Sequence, residues 1–176
     1  MKKALGTAFV VALLLAAAAP ATWAAAGMTF YPLDLSTVEV EMQQRQGMDE
    51  YSTVNVFGTS GKPRLGPEFD VNATALGAGI RYYVDGPGEG VYLGAYVGIY
   101  WLSGEYRGQE TLARAVIFSA TSGYKWALGG GFYLDAGARL TFPMSASKDG
   151  GQYNARQVLH DAFGTQLNIG FGVTLY

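Results

Sequence analysis

The feature that most constrains this sequence is a strict two-residue alternation in EGVYLGAYVGIYWLSGEY, residues 89–106. One row of this stretch is apolar throughout and consists of Val91, Leu93, Ala95, Val97, Ile99 and Trp101. The opposite row holds only tyrosine and glycine, at Tyr92, Gly94, Tyr96, Gly98 and Tyr100. Successive side chains of a β-strand point to opposite faces, so this period predicts a strand whose two faces meet different surroundings.

The same alternation recurs along the chain and predicts eight strands. They lie near 27–34, 36–43, 51–58, 73–85, 90–106, 112–127, 131–144 and 165–176. The reversal at 34–36 is very short, so residues 28–43 form either two strands or one bent strand.

The connections between these strands fall into two classes. Two of them, at 85–90 and 128–131, are short and rich in glycine. Three others, at 59–72, 106–111 and 145–164, are longer or more polar. The classes alternate along the chain if both chain ends lie on the same side, which requires an even number of strands.

The first residues have the three-part pattern of a secretory signal peptide. A positive start, MKK, precedes an apolar run over 8–19 that is too short to span a bilayer, and small residues follow. The sequence predicts cleavage after Ala26, with cleavage after Ala24 as the alternative. Residues 1–26 are then the signal peptide, and residues 27–176 form one domain.

Composition and charge exclude several classes of protein. The chain has no cysteine, which excludes disulfides, thiolate metal sites and cysteine nucleophiles. Of the 12 Lys and Arg residues, Lys2 and Lys3 belong to the leader, which leaves 10 against 14 acidic residues. There is no basic cluster, so nucleic acid is not an expected partner. No run of 18 or more apolar residues follows Gly27, so a membrane form of this chain must be a closed barrel.

The apolar rows share a similar length and end in aromatic residues. Val91 and Trp101, Val116 and Trp126, and Phe132 and Phe142 are each ten positions apart. Ten residues at a rise of about 3.3 Å, tilted by about 40°, cover roughly 25 Å, the height of the apolar band of an outer-membrane barrel. The sequence therefore predicts an all-β fold, an eight-stranded antiparallel up-and-down transmembrane β-barrel. The predicted membrane-interface aromatics are Trp101, Tyr124, Trp126, Phe132 and Phe142.

The alternative is a soluble barrel of the lipocalin kind. In such a barrel the apolar row points inward and surrounds a ligand, and the charged residues of the other row are scattered outside.

Two long stretches resemble the small eight-stranded outer-membrane barrel proteins: GAGIRYYVDGPGEGVYLGAYVGIYWLSGEY and SGYKWALGGGFYLDAGARLTF. The architecture is similar to that of the OmpA barrel, OmpX and OmpW, and the motifs are most similar to outer-membrane barrel families of unknown function. The resemblance covers the chain from about residue 73. It implies location in the bacterial outer membrane, contact with outer-membrane lipid and lipopolysaccharide, and insertion by the barrel-assembly machinery. One departure is that Tyr176 is aromatic while the apolar row Leu175, Val173 and Phe171 lies one position off.

The row opposite to the apolar one collects three acidic and three basic residues: Glu39, Glu41, Arg81, Lys125, Asp135 and Arg139. The interior of a narrow barrel is filled by side chains, and buried charges need partners. The favoured interpretation is an ion-pair and tyrosine network that plugs the lumen. The alternative is a polar path or gate.

Catalytic chemistry has little support in this sequence. The single histidine, His160, precedes Asp161, but position 162 is alanine, so the serine of a lipid A-modifying His–Ser–acid set is missing from that strand face. No catalytic, cofactor or metal residue is predicted. The sequence predicts a non-enzymatic envelope protein with a structural or surface-interaction role and an unidentified surface partner. The alternatives are a narrow conduit for small or hydrophobic molecules, as in OmpW-like proteins, and a lipid A-modifying enzyme.

Overall fold

The chain forms eight strands that close into one barrel. The computed structural model describes residues 23–32, 36–44, 51–62, 69–86, 88–106, 109–148 and 164–174. The strands are β1 (Trp23–Tyr31), β2 (Ser36–Gln44), β3 (Ser52–Gly61), β4 (Phe69–Tyr83), β5 (Gly90–Tyr106), β6 (Gln109–Gly129), β7 (Phe132–Lys148) and β8 (Thr165–Thr174). Each strand pairs antiparallel with the next, and β8 pairs with β1. The predicted fold class is confirmed, and residues 28–43 belong to two strands. In the part of the chain that is described, no helix is long and apolar enough to cross a membrane.

The strand bounds follow the predicted ones most closely in β5, which occupies the predicted range 90–106. The neighbouring strands are longer than the alternation indicates, and β6 reaches 21 residues. Backbone pairing continues past the point where the apolar row ends. The hydrogen bonds between strands depend on the backbone of the adjacent strand and not on the side chains. At the other extreme, β1 begins at Trp23, ahead of the expected mature start at Gly27.

The two ends of the barrel differ. The turn residues 84–86, 88–89 and 130–131 lie at one end of the barrel, called here the turn end. The N-terminal end of β1 and the C-terminal end of β8 lie at the same end. The C-terminal ends of β1, β3, β5 and β7 lie at the opposite end, called the loop end. The turn after β6 is built from Gly129, Gly130 and Gly131, whose φ angles are +89°, +62° and +79°. Three successive positive φ angles are strained for any residue with a Cβ, so this tight reversal requires glycine.

The barrel wall is taller on one side. Strands β5 and β6 stay paired up to Tyr106 and Gln109 at the loop end. On the other side β1 has 9 residues and ends at Tyr31, and β8 begins only at Thr165. The wall formed by β4 to β7 therefore rises above the wall formed by β8, β1 and β2.

The apolar row lies on the outside of the barrel, and the tyrosine row lies inside. In β5, Leu93 is 57% exposed and Val97 is 52% exposed, whereas Tyr92 is 1% exposed. The lipocalin-like alternative, with the apolar row around an inner ligand, is therefore wrong for this chain. An apolar exterior on most of the barrel is the pattern of a wall that faces lipid.

The outer face of β2 differs from this pattern, because Val38, Val40 and Met42 are buried although they point outward. The register places Met28 opposite Val40, and Val40 opposite Val56. Cross-strand apolar neighbours of this kind stabilise a sheet. They hold the short strands β1, β2 and β3 together on the face opposite the polar interior.

Inward glycines make room for the inward tyrosine rings. A Cβ added at Gly123 would lie 2.5 Å from the hydroxyl oxygen of Tyr92, and one added at Gly137 would lie 2.8 Å from it. The ring of Tyr133 occupies the corresponding space beside Gly172. Eight strands enclose a lumen only wide enough for side chains, so each large ring needs neighbouring positions without a side chain.

Replacement of Gly123 by alanine tests this packing. We expect Gly123→Ala to lower the free energy of unfolding by about 1–3 kcal/mol, the usual cost of overfilling a packed interior. The measurement is equilibrium unfolding by denaturant of the barrel folded in lipid vesicles. Gly86→Ala is the matched control, because a Cβ at Gly86 meets no atom within 4 Å. Equal stability of the two variants would contradict the packing argument.

Candidate functional site: a charge and tyrosine network inside the barrel

The structure brings all six of the predicted inward charges into the barrel interior. Each is at most 7% exposed: Glu39, Glu41, Arg81, Lys125, Asp135 and Arg139. They come from β2, β4, β6 and β7, so no two neighbouring segments could have assembled them alone. Their charges balance, which is the condition for burying so many ionised groups together.

Arg81 on β4 is the centre of the network. Its Nη2 lies 2.8 Å from Glu39 Oε1, and its Nη1 lies 2.8 Å from Asp135 Oδ2. The planar guanidinium presents its donors in a fixed fork, so one arginine can bridge two carboxylates on different strands. Arg81 thereby ties β2, β4 and β7 together across the lumen.

Tyrosines complete the coordination of Arg81. Its Nε donates to the hydroxyl of Tyr96 at 2.7 Å, and its Nη2 donates to the hydroxyl of Tyr31 at 2.8 Å. The guanidinium carbon lies 4.3 Å from the centre of the Tyr92 ring, at cation–π distance. All three nitrogens of the guanidinium are therefore paired, and a ring covers one of its faces.

Asp135 on β7 is held by three donors. Tyr92 donates to its Oδ1 at 2.7 Å, and Tyr31 donates to its Oδ2 at 3.0 Å. With Arg81, these bonds satisfy both oxygens of a carboxylate that is fully buried. Hydrogen bonds to charged groups are about twice as strong as neutral ones, so this part of the network is well fixed.

A second ion pair lies closer to the turn end. Lys125 Nζ is 2.6 Å from Glu41 Oε2, and the hydroxyl of Tyr83 donates to Glu41 Oε1 at 2.8 Å. The ammonium lies 4.0 Å from the centre of the Tyr133 ring, whose hydroxyl is 2.7 Å from Thr29 Oγ1. This pair fills the lumen between Arg81 and the turn end.

Arg139 is the least satisfied member. Its Nη2 lies 3.9 Å from Glu39 Oε2, which is too long for a hydrogen bond. Within the described residues, Glu39 Oε2 and Arg139 Nε are buried without a hydrogen-bond partner. The guanidinium lies instead beside the rings of Tyr96 and Phe57, at 5.1 and 5.7 Å from their centres. Arg139 thus marks the limit of the charged part of the interior on the side of the loop end.

Toward the loop end the side of the interior formed by β3 to β6 becomes apolar. The inward side chains there pack into one buried cluster with Phe57, Tyr96 and Tyr100: Val71, Ala73, Ala75, Leu102, Ala113, Ala115 and Ile117. The sequence analysis did not predict this apolar half. Part of it lies on Phe69–Asn72, ahead of the predicted start of the fourth strand at 73, so its inward row was not assigned.

The predicted interface aromatics all lie on the outer face and are exposed: Trp101, Tyr124, Trp126, Phe132 and Phe142. Trp101 and Phe142 lie toward the loop end, and the other three lie toward the turn end. The rings of Tyr124 and Trp126 are 4.6 Å apart at their centres. Tyr82, which was not among the predicted interface aromatics, also lies on the outer face at the turn end and is 46% exposed.

Tyr31 is a network member that the sequence analysis did not identify. The stretch around it has no clean alternation, and a register shift between Ala25 and Gly27 changes which face each residue of β1 occupies. The inward direction of Tyr31 follows from its pairing with Thr37 on β2.

Chemically, the network can bridge strands and block the lumen, but it contains no nucleophile next to a base. Among the described residues there is no group of three or more His, Cys, Asp or Glu side chains that could hold a metal ion. His160 and Asp161, considered above for lipid A chemistry, lie outside the described residues, as do Leu175 and Tyr176.

Comparison with known proteins identifies the architecture of the chain but not a specific function. No protein-family model matches the chain, and no curated protein matches it. Among solved structures, the chain is similar to Neisserial surface protein A (NspA), an eight-stranded outer-membrane barrel, with a TM-score of 0.52 and 18% sequence identity. The similarity covers 87% of this chain and 95% of that one. The chain has the fold of the small eight-stranded outer-membrane barrels.

The two arginines give a graded test of the network. We expect Arg81→Met to lower the free energy of unfolding by about 3–5 kcal/mol, because Glu39 and Asp135 lose their shared cation while buried. We expect Arg139→Met to cost about 1 kcal/mol or less, because Arg139 makes no short ion pair. Denaturant unfolding in lipid vesicles measures both. Equal losses, or no loss for Arg81→Met, would contradict the assignment of Arg81 as the centre.

Proposed function

We propose that the protein is an integral barrel of the bacterial outer membrane that is not an enzyme, conducts no solute along its axis, and serves a structural or surface-interaction role in the envelope. The observation that carries the proposal is the charge and tyrosine network, which fills the lumen with ion-paired side chains.

The outer surface supports the membrane location. An apolar wall flanked by exposed aromatics at both ends suits a hydrocarbon layer between two polar interfaces. A closed barrel leaves no unpaired strand edge for lipid to meet. The leader predicted over 1–26 supports export, with insertion by the barrel-assembly machinery and contact with lipid and lipopolysaccharide in the membrane.

The interior supports the absence of conduction. An open path would need Arg81 to release Glu39 and Asp135, both of which are buried and held at 2.8 Å. Breaking a buried pair without a replacement partner costs several kcal/mol. Nearer the turn end, the ion pair of Lys125 and Glu41 would have to separate as well.

The loop end supports a surface role. The tall wall of β4 to β7 rises beyond the level at which β1 ends, and it carries exposed polar side chains such as Glu105 and Arg114. Lys62 and Asp70 form an exposed ion pair at the same end. This is the part of the molecule that a surface partner would contact.

The test joins location with conductance. We expect the protein in the outer-membrane fraction to migrate differently in SDS electrophoresis before and after boiling, because a folded barrel resists SDS. The unboiled protein, reconstituted in planar bilayers, is expected to give no stepwise conductance. An open porin in the same bilayers is the positive control. Regular current steps would overturn the closed-lumen proposal, and a soluble protein without a mobility shift would overturn the membrane location.

A second candidate function, a conduit for hydrophobic molecules with a lateral exit, has one specific observation in its favour. The apolar half of the interior borders an interruption of the ladder between β6 and β7. The register shifts between Val116 and Ile117, and Pro143 lies opposite Ile117. Proline has no backbone N–H to donate, so the ladder between β6 and β7 lacks a hydrogen bond beside the apolar interior.

A disulfide across this seam separates the two functions. The Ser119 and Thr141 side-chain oxygens lie 3.3 Å apart on β6 and β7 next to the interruption, and the native chain has no cysteine. For a lateral conduit, Ser119→Cys with Thr141→Cys should slow uptake of a fluorescent fatty acid when oxidised and restore it on reduction. Ser122→Cys with Ala138→Cys, paired on the same strands nearer the turn end, is the control. Redox-independent uptake would reject the lateral conduit.

A further inference from the structure

The first strand begins earlier than a mature chain starting at Gly27 would allow. In the register of β1 with β2, Trp23 lies opposite Gln44, Ala24 opposite Gln43, and Ala25 opposite Met42. Pairing of β1 with β8 begins only at Gly27, opposite Thr174. The four residues 23–26 therefore belong to the sheet through β2 alone.

Cleavage after Ala26 would remove this extension. The end of β2, over 42–44, would lose its β1 partners at the rim of the barrel, and Met42 would keep its pairing with Val54 of β3. Unpaired N–H and C=O groups are costly near lipid, and a bare strand edge is a site for wrong pairing.

The register shift in β1 also indicates that residues 23–26 belong to the folded barrel. It lies between Ala25 and Gly27, so one extra residue of β1 is accommodated there. A bulge of this kind needs ladder on both of its sides. If the chain began at Gly27, the ladder on one side would be absent and the bulge could not form.

The sequence offers another cleavage site that spares the whole strand. The residues Ala19, Pro20 and Ala21 satisfy the small-x-small requirement directly after the apolar run. Pro20 cannot continue a helix, so it separates the apolar run from the cleavage point. The first strand, β1, then begins at the second residue after this cut, Trp23.

We propose that signal peptidase cleaves after Ala21 and that the mature chain begins at Thr22. Water hydrolyses the peptide bond between Ala21 and Thr22, leaving a carboxylate on Ala21 and a free amino group on Thr22. The proposal rests on the export that the proposed function requires, and it replaces the expected site after Ala26. It makes residues 23–26 a working part of the barrel wall.

The decisive measurement is the intact mass and N-terminal sequence of the protein extracted from outer membranes. The expected N terminus is Thr22. A terminus at Ala25 or Gly27 on a protein that shifts in mobility on boiling would overturn the cleavage proposal while leaving the membrane barrel intact. A chain that still begins at Met1, outside the outer-membrane fraction, would overturn export itself.

Two matched variants test the position of the cleavage site independently. A large residue at the position before the cut blocks cleavage by a peptidase that requires small residues there. Ala21→Gln should therefore accumulate precursor or move the N terminus downstream. Ala26→Gln should still yield a chain that begins at Thr22. The reverse pattern, with normal processing of Ala21→Gln and precursor from Ala26→Gln, would overturn the proposal.

Discussion

The narrowness of the lumen is the constraint on which the rest of this structure depends. Eight strands enclose a space that only side chains can fill, with no room for a water-filled channel. Large rings such as Tyr92 fit because the facing positions, Gly123 and Gly137, have no side chain. The tyrosine and glycine row of β5 is thus half of a packing arrangement whose other half lies on β6 and β7.

The same narrowness decides how the charges are held. Arg81 reaches carboxylates on two other strands because the lumen is no wider than the side chains that cross it. Each link across the lumen ties distant segments of the chain, so the network acts as an internal brace. Removing one partner leaves its counterpart buried and unpaired, which makes the closed state strongly favoured.

The interior is divided between two kinds of chemistry. The turn end is charged, and the loop end is apolar on the side formed by β3 to β6. Arg139 lies at the boundary, beside Tyr96 and Phe57. The wall is also tallest where the apolar half lies. The proposed absence of axial flow rests on the charged turn-end half of the interior. The proposed contact with a partner or a hydrophobic molecule is assigned to the loop-end half.

The sequence by itself determined the strands, their two faces and the six inward charges, because a two-residue period is a local property of the extended backbone. Only the tertiary structure decided which charges meet, since Arg81 and Asp135 are brought together by the stagger of closed strands and not by their spacing along the chain. It also decided that β1 starts at Trp23 and that Tyr31 points inward, because strand pairing extends beyond the side-chain pattern and places Tyr31 opposite Thr37. The burial of Val40 on the outer face of β2 was likewise invisible to alternation, which separates two faces but does not say what covers them.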